Sequence, residues 1–361
     1  MKVLAIDPGS SSTKIGVYRD GCTDKGLIEH PRQEIERFPA VMEQFDYRMN
    51  GIADYLGQAG LSELRFDAVV GRGGLVQPVP GGVYLVNDLL LRDLRSGVSG
   101  EHAANLGGVL AQNFASRQGI PAYVVDPPVI DEMWDPARFS GLAQMERRSM
   151  FHALNQKAVA RDVALEMGRE YHELNLIVAH LGGGITVGAH RLGRVVDVNN
   201  GLNGDGPFSP ERTGGLPVIG VLELLEKGSY SIAELKAVIA RKGGMYSYLG
   251  TVDLREAEQR ALQGDARAGL VVEAMLYQVA KEIGAMAAAL SGYVDGIVLT
   301  GGLAFSGSVV EKLSRKVSFI APVFLRPGEH EIEALIAGAL RVMTGAEEAR
   351  IYTGEAHEDR G

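Results

Sequence analysis

The stretch His180–Gly215, HLGGGITVGAHRLGRVVDVNNGLNGDGPFSPERTGG, decides the reading of the fold, because it directly follows the apolar run Leu176-Ile-Val-Ala. That run is too short for a helix and rich in branched residues, so it predicts a buried strand. Gly182, Gly183 and Gly184 then give a turn without Cβ atoms, whose N–H groups can press against an anion. A second β-like run follows over Ile185–His190, then a corner at Leu192–Gly193 and a third run over Arg194–Val198. The outcome is a glycine-tipped hairpin, not a strand entering a helix. The dinucleotide fingerprint needs G-x-G-x-x-G opening a helix and the P-loop needs Gly-Lys-Ser/Thr, so neither pattern is met. Three glycines alone fit an ordinary tight turn as well as a phosphate site.

A second copy of the pattern tips the balance. At the N-terminus, Val3–Ile6 is an apolar strand, Asp7-Pro-Gly-Ser-Ser-Ser-Thr-Lys14 is a small-residue turn with one cation, and Ile15–Tyr18 is a second strand closing at Asp20–Gly21. Asp7 and His180 hold equivalent places, separated by close to half the chain. Such a repeat predicts a duplicated α/β fold in which each half supplies one phosphate-facing hairpin.

Composition sets bounds on this reading. A chain of 361 residues is long for one core and fits two domains. A net charge of −9 argues against nucleic acid and against an anionic membrane surface as partners. One cysteine, Cys22, excludes an internal disulfide and a Cys-paired zinc site, so a reducing cytoplasm is expected. Lys2 is followed by only four apolar residues before Asp7, which does not read as a signal peptide. Val271–Leu290 is apolar but broken by Glu273, Lys281 and Glu282, so it predicts a buried helix and no membrane span.

Other strand ends carry polar groups. Ala68-Val-Val opens onto Gly71-Arg72-Gly73-Gly74, where the arginine taken alone reads as a solvated loop charge before it reads as a site residue. His102 precedes an alanine-rich helical stretch placed between Gly97 and Ala115. Tyr123-Val-Val ends at Asp126-Pro-Pro, and such a carboxylate is as often a turn residue as a site residue. Phe151–Glu170 reads as a helix linking the halves, and Ile219–Ala240 as another helix. Gly296–Thr300 is a strand opening onto Gly301–Gly302, a seat for a base or phosphate or an ordinary β-to-α turn.

Taken in order, IDPGSSSTK, GRGGLVQPVPGG, EHAANLGG, AHLGGGI, NGDGPFSPERTGGLP and VLTGGLA resemble the acetate kinase family, and within it the butyrate kinase branch. That family belongs to the sugar kinase, heat-shock chaperone and actin superfamily. The resemblance spans essentially the whole chain. It implies two duplicated ribonuclease-H-like domains, an actin-like ATPase fold with the active-site cleft between them. The spans expected are 1–160 for the acyl side and 161–328 for the nucleotide side, with the closing segment 329–361 packing back on the first.

Site residues follow position by position as implications of the resemblance. The first hairpin contributes Asp7, Gly9, Ser10, Ser12 and Lys14 near phosphate, with Asp7 also on the metal side. Arg72, Asp126, His180 and Arg212 take catalytic places; Arg72, Gly73, Gly74 and His102 take substrate places. Gly182, Gly183, Gly184, Gly301 and Gly302 line the nucleotide, and Glu329 is the late magnesium-side acid, with Glu331 close by. The implied reaction is reversible, magnesium-dependent transfer between ATP and butyrate, giving butanoyl phosphate and ADP. Isobutyrate, acetate and propionate are alternative acids, and a homodimer or larger homo-oligomer is implied. Gly73 and Gly74 stand where acetate kinases carry valines, which predicts added room for an acyl tail. From another class, an ATP-gated chaperone-like or actin-like binding protein fits the hairpins but leaves Arg72 and Arg212 without an anionic acceptor.

Overall fold

The computed structural model describes residues 1–355. Its described residues divide into two compact units, Met1–Asp131 with His330–Glu355, and Glu132–Glu329. The division at Asp131, not near residue 160, puts the helix Ala153–Glu166 wholly in the second unit. There Val159, Ala160 and Val163 pack against Leu176 and Val178.

In the first unit the strands are β1 (Lys2–Pro8), β2 (Ser12–Arg19), β3 (Cys22–Glu29), β4 (Ala68–Arg72), β5 (Val83–Leu85) and β6 (Ala122–Val125). A two-residue strand, Arg350–Ile351, borders β5, and the sheet continues β5-β6-β4-β1-β2-β3. β1, β2 and β3 are antiparallel neighbours, whereas β1, β4 and β6 run parallel. Val3 to Ile6 are fully buried because β1 lies inside the sheet with both faces covered. Val124 packs at Gly108 of the helix Asn105–Gln118, while Val125 packs at Gly338 of the helix Glu331–Met343. Consecutive side chains of a strand alternate, so the two helices cover opposite faces.

The second unit repeats this plan with β7 (Asn175–Leu181), β8 (Ile185–Arg191), β9 (Arg194–Val198), β10 (Gly296–Gly301) and β11 (Val323–Pro327). Its order is β11-β10-β7-β8-β9, with three antiparallel strands and then two parallel ones, matching β6-β4-β1-β2-β3. Ile177, Ala179 and Leu181 join the core formed with the helix Ala266–Ala289, and Leu176 and Val178 face the helix Ala153–Glu166. No helix among the described residues is long and apolar enough to cross a membrane.

Two expected helices differ in extent. The one placed from Gly97 begins at Asn105, because Gly97 (φ 62°) is the left-handed end of a separate helix, Asp88–Ser96, and Gly100 also has positive φ (122°). The one placed over 219–240 is split into Val218–Glu226 and Ile232–Ala237. Gly228 at φ 67° ends the first, and a reciprocal Ser231–Glu234 cap starts the second.

Candidate active site

In the first unit the sheet gathers the charges. Asp7 sits at the end of β1 opposite Lys14 of β2, and Arg72 ends β4, the parallel neighbour in which Gly71 pairs with Ile6. Arg72 therefore emerges beside Asp7, and its Nη1 lies 3.1 Å from Asp7 Oδ1. The same atom is 3.7 Å from Glu331 Oε1, and Lys14 Nζ is 3.1 Å from Glu331 Oε2. Asp7 and Glu331 are buried. Two carboxylates interleaved with two cations offset one another's charge away from water.

Glu331 joins this cluster because it opens the helix Glu331–Met343, one residue after His330 turns the backbone left-handed (φ 54°). Glu329, the acid favoured from sequence, precedes that reversal, is exposed, and contributes a backbone carbonyl that Asn155 Nδ2 approaches. The structure thus groups Glu331, not Glu329, with Asp7. No group of three or more His, Cys, Asp or Glu suited to a metal occurs among the described residues. Magnesium is usually held by one or two carboxylates plus water and substrate phosphates, and the pair Asp7 and Glu331 fits that donor set.

The glycines around Arg72 act mainly as packing surfaces. A Cβ at Gly71 would lie 2.1 Å from Gly107 O, and one at Gly107 would lie 2.3 Å from Arg72 O. The end of β4 thus meets the helix Asn105–Gln118 backbone to backbone, which fixes where Arg72 leaves the sheet. Gly73 and Gly74 do not leave the open room expected from sequence: Pro127 Cβ would be 2.6 Å from a Cβ at Gly73, and Asn105 Cα 2.6 Å from one at Gly74. Beside them remains an apolar niche of about 10 Å³, walled by Val76, Val79, Leu94 and Tyr352 among others. A niche of that size admits about one water-sized or methyl-sized group.

Asp126 directly follows β6 in a left-handed conformation (φ 39°), which Asp adopts more readily than most residues. Its Oδ1 accepts from Gly82 N at 2.8 Å, and its own N–H donates to Gly82 O. His102 is exposed, and its Nδ1 accepts from Ala104 N at 3.1 Å, so it shapes the start of the following helix. In the first hairpin Gly9 N donates to Ser12 O, closing the turn around Ser10.

Beneath that turn lies a residue that sequence reasoning missed. Arg48 is 1% exposed and donates to Ser12 O, Thr13 Oγ1 and Gln44 Oε1, locking the hairpin from inside. Burial lowers its guanidinium to about 10, and burial together with Arg48 holds His30, which contacts Thr13, at about 4. The available signal was one arginine on the apolar face formed by Met49, Ile52 and Leu56.

In the second unit His180 is the penultimate residue of β7, buried, with Nδ1 2.8 Å from Asn155 Oδ1. His152, also missed from sequence, stacks on it at 3.8 Å with 12° between the rings and reaches Thr186 Oγ1 through Nδ1 at 2.9 Å. Gly182 N donates to Gly184 O across the turn, and Gly183 O receives Ser209 Oγ. Gly184 gives its side-chain space to Arg212: a Cβ there would lie 2.0 Å from Arg212 Nη1. That Nη1 donates to Gly201 O at 2.6 Å, while Arg212 Nε is buried with no hydrogen-bond partner among the described residues. Burial lowers the Arg212 guanidinium below its usual value, opposed by Glu211. A buried guanidinium with an unmet N–H is suited to an anionic oxygen.

Gly301 (φ 86°) cannot carry a Cβ, which would sit 2.4 Å from Leu181 O, whereas Gly302 has open space around it. Gly302 begins a short turn, and Ser306 then caps the helix Gly307–Val317 through Val309 N.

The fold is similar to that of several solved structures. The chain is similar over 96% of its length to the whole chain of Porphyromonas gingivalis acetate kinase in its crystal structure, with TM-score 0.78 and 21% identity. A propionate kinase from Francisella tularensis subsp. tularensis SCHU S4 gives TM-score 0.74 at 17% identity, covering 92% of this chain and 98% of that one. Entamoeba histolytica acetate kinase gives TM-score 0.74 at 16% identity, covering 94% and 99%. These likenesses establish the actin-like ATPase fold with its two sheets. The acetokinase family model matches residues 142–321, the segment holding His152, His180, Arg212 and Gly301, and over that segment the chain is similar to the acetate kinase family.

Proposed function

We propose that the chain is a short-chain fatty acid kinase that transfers a phosphoryl group between ATP and butyrate. The observation that carries this reading is Arg72, held at a strand end between the buried acids Asp7 and Glu331, in a chain similar to this family. A fatty acid is already ionised at neutral pH, so it needs no general base to become a nucleophile. Its difficulty is repulsion from the γ-phosphate. Arg72 keeps its charge at any working pH and presents a planar fork to the carboxylate. Arg212 brings a second guanidinium, with one N–H unmet, to the equatorial oxygens of the phosphoryl group. His180 donates to the same group in a direct in-line transfer without a covalent intermediate.

Asp7 and Glu331 are the residues that would hold magnesium. When bound, that ion supplies positive charge against the phosphate oxygens. The turns at Gly9–Lys14, Gly182–Gly184 and Gly301–Gly302 offer backbone N–H groups to the nucleotide's phosphates. Asp126 braces Gly82 near the end of β6 and acts by shape, and His102 does so at the start of its helix.

The acyl tail lies on the apolar side of Gly73 and Gly74. The niche as it stands takes one carbon, and a four-carbon acid requires part of its wall to turn aside. We also propose a homo-oligomer, because the helix Val218–Glu226 buries no residue and exposes Val218 and Ile219 by 70% and 68%. Light scattering showing only monomer would remove that part. The functional assignment is tested by Arg72→Ala: acyl phosphate formation falls by roughly 10³ or more while the fold is retained. A well-folded variant with normal turnover takes Arg72 out of the mechanism.

A further inference from the structure

We propose that Asn155 is a positioning residue that fixes His180 in its Nδ1–H form, so that His180 Nε2 offers a proton only when the ring is charged. Asn155 is almost fully buried, and its hydrogen bonds leave one orientation for the amide. Nδ2 faces two backbone carbonyls, Gly328 O at 3.3 Å and Glu329 O closer still. A flipped amide would set its oxygen against both carbonyls, two oxygen–oxygen contacts with no proton between them. Asn155 Oδ1 therefore faces Thr300 Oγ1 at 3.2 Å and His180 Nδ1 at 2.8 Å. An oxygen acceptor at that distance requires a proton on Nδ1. In the neutral ring Nε2 is then a bare lone pair, which repels an anionic oxygen.

A second chain of hydrogen bonds sets the stacked neighbour the opposite way. Gln156 Nε2 faces Thr186 O at 3.0 Å, which fixes that amide as well, and it also donates to Thr186 Oγ1 at 2.9 Å. Thr186 then gives its own proton to His152 Nδ1, so neutral His152 carries its hydrogen on Nε2. Behind them, Gln156 Oε1 accepts from His190 Nε2, and His190 Nδ1 contacts Tyr171 Oη at 2.7 Å. Two rings stacked at 3.8 Å do not both carry charge. With Nδ1 committed to Asn155, His180 can donate from Nε2 to a phosphoryl oxygen only as the doubly protonated ring. That consequence rests on the kinase reading; the tautomer itself does not.

The test is a long-range 1H–15N correlation spectrum of the full chain labelled at histidine nitrogens, recorded at alkaline pH and assigned with His180→Gln. We expect the His180 proton on Nδ1. Asn155→Leu should move it to Nε2, the form a free neutral side chain favours, and Asn155→Asp should keep it on Nδ1 by preserving the acceptor. In turnover, Asn155→Leu should lower kcat by about 10–100-fold with little change in KM for the acid, and Asn155→Asp should recover part of the loss. A proton on Nε2 in the unaltered chain overturns the proposal, as does an Nδ1–H form that persists in Asn155→Leu. If the leucine variant does not fold, the unaltered chain and the aspartate variant decide. An Nδ1–H form in a chain that makes no acyl phosphate supports the tautomer and counts against the kinase reading alone.

Discussion

Gly184→Ala separates function from folding more cleanly than any change at a charged residue. The added methyl would lie 2.0 Å from Arg212 Nη1, and ordinary contacts begin at 3.4 Å, so the guanidinium must retreat by about 1.4 Å. Its far end belongs to a flexible side chain, and no backbone atom stands among the closest contacts at that position. The cost in stability is therefore set by the Arg212–Gly201 O bond, about 1.5–3 kcal/mol if wholly lost. A displacement of about 1 Å at a positioned group costs on the order of 10² in rate. We expect kcat for acyl phosphate formation to fall about 100-fold, with a cooperative melt lowered by only a few degrees. Turnover trapped as hydroxamate and melting followed by circular dichroism give both numbers on one preparation. A variant that melts normally and turns over within about threefold of the unaltered chain would refute the placement of Arg212 in the mechanism.

Other substitutions test separate parts of the account. Glu331→Gln should raise the magnesium concentration needed for half-maximal rate by about tenfold or more, whereas Glu329→Gln should leave it unchanged; the reverse order would return the metal side to Glu329. Gly74→Ala drives a Cβ against the Asn105 backbone and should destabilise by about 1–3 kcal/mol, measured by urea unfolding, instead of merely shifting acid preference. Burial, with Asp205 and Asp197 adding to it, raises Glu282 to about 7. The folded chain thus holds this proton more tightly than the unfolded one, and its contribution to stability falls as pH rises from the usual carboxylate range through about 7. Glu282→Gln should stabilise the chain at pH 8 and have little effect near pH 4; equal effects at both would contradict the burial argument.

Much of the framework was legible because strand periodicity and glycine corners are local signals. The equivalence of Asp7 and His180 followed from two hairpins, and β1–β2 and β7–β8 reproduce it in register. The meeting of Arg72 with Asp7 also follows once β4 lies parallel to β1. What glycine means was less legible. A sequence shows that a side chain is missing at Gly73, Gly74 or Gly184, but not that Pro127, Asn105 or Arg212 fills the space.

Helix phase hid other features. Glu329 and Glu331 are two residues apart, and only the left-handed His330 between them decides which one turns to the sheet. His152 and Asn155 precede or open an ordinary-looking helix, and nothing in its spacing says that the residue before its first turn stacks on His180. The same helix reads equally well as a linker, which is why the boundary fell near 160 and not at Asp131.

The central claim, that a carboxylate accepts the phosphoryl group, is tested most directly by trapping acyl phosphate with hydroxylamine. The reaction would contain ATP, magnesium and acids from acetate to valerate, with isobutyrate included. The account predicts hydroxamate in an ATP-dependent amount that peaks at butyrate. A peak at acetate would keep the carboxylate kinase and discard the proposed tail site, whereas ATP hydrolysis without hydroxamate from any acid would contradict the claim itself.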